Sequence, residues 1–510
     1  MSLIKAVTTI GGFTLISRVF GFIREMMMAA YLGAGASSDA FFIAFKLPNF
    51  LRRLFAEGAF NAAFVPLFAG RLEQEGEASA REFAEEIFSV LTVILLGIVV
   101  VAEIFMPALV LAFAASYAQD AEKFALTVLL SRICFPYILF ISLLTLYGGI
   151  LNSMQRFAAA AASPIIMNLC MIAALWLAPS EALSAHWLSF GVLAAGITQF
   201  LWMAISCYRA GILPQWRRPR FSPDVRKLLK IAIPAAFGAS IAQVNLLIDS
   251  QFAATIENAV SWLYYGDRLN ELVIGVIGVA IGTALLPLLT RTIKAGQEAE
   301  ALHKLNQASF LCLALAVPAA CGLFVLAKPL ILTLYEHGAF TREDTEAVYP
   351  TLMAYSAGLP AFVMIKILNT GFYARHDTLT PVKIGLFCIA VNLLCNFMLM
   401  YFYGHVGLAM SSAISGWTNT LLMGWILHRR GHFRPDKLLW RRVLGIFSAS
   451  LLMAAALAWL FPQLAWEKMA DRVSHLAILI AVGGGVYGFS VLALRVIKPS
   501  DIALLKGRRP

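Results

Sequence analysis

FFIAFKLPNFLRRLFAEGAFNAAFVPLFAG, residues 41–70, poses the question on which the fold turns. The stretch is long and apolar enough to cross a bilayer, yet its middle carries Lys46, Arg52, Arg53 and Glu57. A charge facing hydrocarbon at mid-bilayer costs between about 2.5 and more than 10 kcal/mol. Three cations and a carboxylate in one span therefore turn inward, toward other helices or water held between them. The spacing agrees. Asp39, Lys46 and Arg53 recur every seven residues, and Asn49 and Glu57 stand four before and four after Arg53. Every seventh residue of a helix returns to nearly the same face. If the helix continues through Pro48, one face is a polar stripe of both signs and the others are Phe, Leu and Ala. Arg52 points about 100° away from that stripe.

The rest of the chain has the same character. Of 510 residues, 60% are hydrophobic and only 14% charged, against about 25% charged in a soluble domain. Apolar runs of spanning length recur almost throughout, and the polar gaps are too short for a soluble domain. The fold class expected is an all-α polytopic membrane protein with fourteen transmembrane helices. Their limits are near 6–32, 38–69, 84–113, 124–152, 159–178, 186–207, 228–252, 258–290, 305–328, 346–373, 382–402, 406–428, 441–461 and 474–495. Alternate loops are rich in cations, with seven between Arg209 and Lys230 alone, whereas the other set holds only Lys123, Arg342, Lys468 and Arg472. The positive-inside rule places the rich set, and both termini, in the cytoplasm. The net charge of +11 is then a sum of cytoplasmic loops and implies no nucleic acid. The first apolar run passes Arg18 and Arg24 without a small-residue cleavage site, so it is not read as a cleaved signal. Seven cysteines lie in or beside apolar segments without CxxC or Cys/His spacing, which argues against a disulfide framework or a metal site.

The chain also repeats itself. GITQFLWM from Gly196 matches GWTNTLLM from Gly416, and FVPLFAGRLEQEGE (64–77) matches LLPLLTRTIKAGQE (285–298). MPALVL (106–111) matches KPLILT (328–333), and KLPNFL (46–51) shadows DRLNEL (267–272), all at offsets of 220 to 222 residues. Each copy holds six spans, residues 1–215 and 222–432. An even number of spans inserts both copies the same way, a parallel repeat with its axis along the membrane normal. Two such lobes around a central cavity suit a transporter that opens to alternate sides. Residues 433–510 add two helices outside the repeat.

Charges occur in other spans too. The first carries Arg18, Arg24 and Glu25; Arg18 and Glu25 share a face, and Gly21 between them permits a bend. The eighth carries Asp267, Arg268 and Glu271. The guanidinium fork matches phosphate oxygens in a bidentate way, so arginines around one cavity suggest a phosphate-bearing anion. The alternative is structural ion pairing, for which Arg53 with Glu57 and Arg268 with Glu271 are well spaced. A second polar group comprises Asp249, Asn392, Asn396 and Ser412. Its oxygens suit a small hard cation such as Na⁺ or, equally, interhelical hydrogen bonds. Gly275, Gly278 and Gly282 in GVIGVAIGT follow no strand, so they read as helix packing and not a phosphate loop. No P-loop and no catalytic constellation stand out, which argues against direct use of ATP and against an enzyme.

SRVFGFIREMMMAAYLGAGASSDAFFIAFKLPNFLRRLFAEGAFNAAFVP (17–66) closely resembles the start of the MurJ (MviN) family. SWLYYGDRLNELVIGVIGVAIGTALLP (261–287) and GFYARHDTLTPVKI (371–384) look like its later signatures. The family comprises lipid II flippases of the multidrug/oligosaccharidyl-lipid/polysaccharide exporter superfamily. The resemblance implies that the chain moves an undecaprenyl-diphosphate-linked disaccharide-pentapeptide outward across a bacterial inner membrane, for peptidoglycan synthesis. It implies substrate contacts at Arg18, Arg24, Arg52 or Arg53, and Arg268, with acids at Glu25 and Asp39 and Glu57 beside them. It implies a lipid-tail groove on the helices at 441–461 and 474–495, and a sodium site at Asp249, Asn392, Asn396, the carbonyl of Leu408, and Ser412. Lipid II, membrane lipids and cell-wall synthesis proteins are the partners expected. An exporter of another polyprenyl-linked glycan, a cation-coupled drug antiporter and a non-transporting scaffold are the competing readings.

Overall fold

The computed structural model describes residues 3–52, 60–466 and 468–496. Among them the regular structure is entirely helical. In order come α1 (Leu3–Leu32), α2 (Ala36–Arg52), α3 (Asn61–Gln74), α4 (Glu77–Ile104), α5 (Met106–Phe113), α6 (Ala121–Cys134), α7 (Tyr137–Ser153), α8 (Ala158–Leu177) and α9 (Ser184–Arg209). They are followed by α10 (Pro223–Ala254), α11 (Ala259–Lys294), α12 (Glu298–Val325), α13 (Ala327–Leu334), α14 (Arg342–Tyr373), α15 (Leu379–Arg429), α16 (Lys437–Leu460) and α17 (Met469–Ala493). The stretch expected as one span over 38–69 is described as α2 and α3, and α2 does continue through Pro48. Arg53 and Glu57 lie outside the described residues.

Nine helical segments among the described residues are long and apolar enough to cross a bilayer. One of them, α15, is really two helices, because Gly404 breaks it with φ 56° and ψ −135°. That left-handed conformation suits glycine, which has no β-carbon to clash. Helices also occupy the other expected spans: α1, α2, α10 and α11 carry charges within their apolar runs. Large apolar side chains face outward in number, among them Val100, Val101 and Ile104 on α4, Tyr401 and Phe402 on α15, and Trp459 on α16. Water would not tolerate so much exposed apolar surface, and hydrocarbon does.

Contacts divide the chain into two compact units, Met1–Ser261 with His337–Phe340, and Trp262–Glu336 with Thr341–Pro510. In the first, Phe60, Phe64 and Phe68 stack at spacings of four residues, with centroids 5.4 and 5.5 Å apart, and Phe83 of α4 stacks on Phe64 at 5.7 Å. Each such pair adds about 0.5–1.5 kcal/mol to the burial itself. In the second, α11, α12, α14 and α15 share a core that includes Leu305, Cys312, Leu359, Ile367 and Leu427. Helix α16 packs on α12, and Tyr487 of α17 donates to the Ala314 carbonyl at 2.6 Å. Arg472, at the start of α17, reaches Glu336 at 3.1 Å. Helix starts recur at a constant 221-residue interval: α4 and α12, α5 and α13, α6 and α14, α8 and α15.

Segment His337–Phe340 crosses the turn after α1, where the Ala339 N–H donates to the Ala30 carbonyl at 2.8 Å. Two left-handed glycines make the crossing possible, Gly33 (φ 63°) and Gly338 (φ 57°). A β-carbon on Gly338 would stand 2.2 Å from the Ala30 oxygen, and backbone cannot yield as a side chain can. Gly338→Ala is therefore expected to destabilise by more than about 1 kcal/mol, seen as a lower melting temperature in detergent. Gly35→Ala, with open space around it, should melt like the parent; equal melting of all three proteins would disprove the crossing.

Candidate functional site

Within the first unit, Arg24 of α1 is held by α8. Arg24 Nη1 donates to Asn168 Oδ1 at 2.9 Å and contacts Met171 Sδ at 3.7 Å, while Nη2 pairs with Glu25. Asn168 in turn donates to the Ser17 carbonyl at 2.9 Å. Both charged side chains are nearly enclosed, at 12% and 7% exposure. The fork is thus aimed by two helices. Its Nε remains buried without a hydrogen-bond partner among the described residues, an unmet donor of the kind that a ligand oxygen satisfies. Arg18 makes no hydrogen bond or ion pair with the described residues and is half-exposed. Gly21, expected to permit a bend, instead lies in a continuous helix. A β-carbon there would sit 3.5 Å from Asn168 Nδ2, in ordinary contact with α8.

Asp39, expected among the cavity acids, is wholly buried. Its Oδ2 takes Lys123 Nζ at 2.8 Å, and its Oδ1 accepts from the Ser261 N–H at 2.9 Å and the Ser261 hydroxyl at 2.5 Å. Lys123 Nζ also lies 4.4 Å from the Tyr117 ring centre. Burial and the adjoining Asp39 carboxylate push the Tyr117 phenol well above its usual range. Further along α2, Lys46 donates to Ser250 at 3.2 Å, and Arg52 Nε donates to Asn49 Oδ1 at 3.1 Å. The described members of the stripe, Asp39, Lys46 and Asn49, are therefore engaged with α6, α10 and their own helix.

In the second unit, Arg268 pairs with Glu271 at 2.6 Å, three residues on, and stacks 4.3 Å from the Tyr264 ring. Both charged groups stay accessible, at 33% and 47%. The pair is reachable from outside, and an incoming oxyanion can compete with Glu271 for the guanidinium.

Of the residues proposed for sodium, Asp249 belongs to the first unit, where it accepts from Asn245 Nδ2 at 3.1 Å. Asn392 and Asn396 are buried in the second, and Asn396 Nδ2 donates to Asn392 Oδ1 at 3.0 Å. Leu408 is buried and Ser412 half-buried. The second unit thus offers neutral oxygens only, and one already accepts a protein hydrogen. Asn392 and Asn396 thus form an amide pair within the second unit. The described residues also hold no group of three or more His, Cys, Asp or Glu side chains arranged for a metal.

A cavity of about 570 Å³ lies elsewhere in the first unit, between Arg71, Glu82, Phe83, Glu86, Asp224 and the arginines at 217, 218 and 220. Arg71 is tied to Asp224 at 2.6 Å, and Arg217 to Glu82 and Glu85 at 2.8 and 2.7 Å. Its strongest cation positions are already neutralised by acids. Asn168, Lys123 and Ser261, which hold Arg24 and Asp39, have no site role in the sequence reading. Asn168 could have been found as a lone amide in the apolar run of α8.

A family model described as "Lipid II flippase MurJ" matches residues 28–479. A "Probable lipid II flippase MurJ" from Rhizobium tropici is 43% identical over 499 residues, spanning 96% of this chain and 93% of its own. The "Lipid II flippase MurJ" of Burkholderia cenocepacia is 35% identical over 497 residues, spanning 96% of each. Among solved structures, a lipid II flippase MurJ in an inward closed conformation superposes with TM-score 0.80 at 25% identity, over 98% of this chain and 99% of that one. An inward-facing multidrug resistance MATE transporter of the MOP superfamily superposes with TM-score 0.66 at 13% identity, over 83% and 98%, and shares the fold.

Proposed function

The chain belongs to the MurJ family of lipid II flippases, and from that premise we propose that it carries lipid II from the cytoplasmic to the periplasmic leaflet of a bacterial inner membrane. The observation that carries the reading is the match across 28–479, joined to relatives and a solved structure aligned over nearly the whole chain. The protein is a multi-pass membrane transporter, and its work is movement, not bond making.

The proposed cycle is alternating access. Two six-helix lobes, 1–215 and 222–432, rock about the head group, and the recurrence of helix starts at 221 residues supports this division. Both termini are cytoplasmic, with fourteen spans. Arg24, aimed by Asn168 and Glu25 and holding a spare buried N–H, supports a role in gripping the diphosphate. Arg268 can exchange Glu271 for a phosphate oxygen without leaving a buried carboxylate behind, because Glu271 is accessible. The polyprenyl tail stays in lipid along α16 and α17, whose outward faces carry Leu451, Leu452, Trp459 and Phe489.

Depleting the protein in its own bacterium tests the function. Lipid II is cleaved from outside by an added enzyme while the total pool is measured. The cleavable fraction is expected to fall as the total rises. An unchanged cleavable fraction under full depletion would refute the proposal for that cell.

A further inference from the structure

Helix α14 has one charge between Val348 and Tyr373, Lys366, and it sits in an otherwise apolar run. Its neighbours at 363, 364, 367 and 368 are buried, yet Lys366 is exposed. It makes no hydrogen bond or ion pair with the described residues. Its stem rests on α11. A β-carbon on Gly278 would stand 3.4 Å from Lys366 Cγ, and one on Gly282 would stand 3.9 Å from Lys366 Cβ. The lysine stem thus lies against Gly278 and Gly282 of GVIGVAIGT.

That contact fixes which face of α11 the lysine shares. Tyr264, Arg268, Glu271, Gly275, Gly278 and Gly282 follow one another by four, three, four, three and four residues, a single helical stripe. Arg268 and Glu271 already meet along it. Lys366 therefore adjoins the same stripe ten to fourteen residues away, about 15–21 Å along the axis. The stem of Lys366 lies on the seam between α14 and α11. Three residues on, and so beside it on the helix, Asn369 has its Oδ1 buried without a hydrogen-bond partner among the described residues. An ammonium wants an oxyanion and an amide oxygen wants a donor. A phosphate joined to a sugar presents both.

We infer that Lys366 and Asn369 form a further head-group contact in the C-terminal unit, on the stripe that carries Arg268. The ammonium takes an oxygen of the diphosphate, and Asn369 Oδ1 accepts a hydroxyl or amide hydrogen from the attached sugar. This rests on the lipid II reading and extends it to two residues outside the arginine set.

Binding of lipid II and of undecaprenyl diphosphate, which lacks the sugar, is measured on the full protein in phosphatidylcholine nanodiscs. Lys366→Met keeps the stem on the glycines and removes the charge, and should weaken both ligands at least about 10-fold. Lys366→Arg should stay within about 3-fold of the parent, since it restores the cation. Asn369→Leu should weaken lipid II alone. Unchanged binding by Lys366→Met at unchanged melting temperature would overturn the inference and leave Lys366 as a lipid-facing anchor. Weakening of lipid II without weakening of undecaprenyl diphosphate would overturn the diphosphate assignment. Failure of the parent protein to bind lipid II would instead strike the proposed function, so the two failures are distinct.

Discussion

Asp39→Ala should unfold a large part of the protein before it changes any transport rate. The carboxylate is wholly buried and Lys123 is 10% exposed, so removing one leaves the other charged and enclosed. Breaking a buried pair in this way costs about 3–5 kcal/mol, roughly a hundredfold to several thousandfold in the folded ratio. Two donors from Ser261 lose their acceptor at the same time. The measurement is thermal unfolding in detergent together with yield from the membrane. Asp39→Leu combined with Lys123→Met removes both charges and should recover most of the loss, because an apolar pair of similar volume needs no partner. A single variant that melts like the parent would show that this pair does not hold α2 against α6.

Arg24→Ala is expected to abolish outward movement of lipid II, with a fall of at least about 10- to 100-fold, the range for losing charge-assisted hydrogen bonds. It also removes an ion-pair partner of Glu25, whose exposure is only 7%, so abundance should fall too. The two effects separate in Arg24→Ala with Glu25→Gln. That double variant should regain abundance and remain inactive, because the neutral amide no longer needs the guanidinium but nothing replaces the fork. Arg24→Lys keeps the charge without the planar geometry and should retain only part of the activity. Normal externally cleavable lipid II in the double variant would remove Arg24 from the substrate site.

These two residues show how unevenly a charged stripe can be read. The seven-residue spacing of Asp39 and Lys46 predicts one polar face on α2, and both side chains bind neighbouring helices. It did not distinguish a carboxylate waiting for a substrate from one fully engaged inside the protein. Asp39 is of the second kind, bound to Lys123 and to Ser261, which lies 222 residues further on. Lys123 reads as a loop cation until α6 is laid against α2. Arg268 with Glu271 was legible because both lie on one helix at a spacing that brings them together.

Membrane class, helical architecture, the internal repeat and the family resemblance are properties of local pattern: hydropathy over some twenty residues, period around a helix, and motifs read in order. The amino-acid sequence by itself therefore determined them. Partnership across helices depends on the depth and rotation of two segments at once, which no local pattern specifies. Only the tertiary structure decided that Asn168 aims Arg24, that Gly338 crosses the Ala30 carbonyl, and that Lys366 lies on the glycine stripe below Arg268.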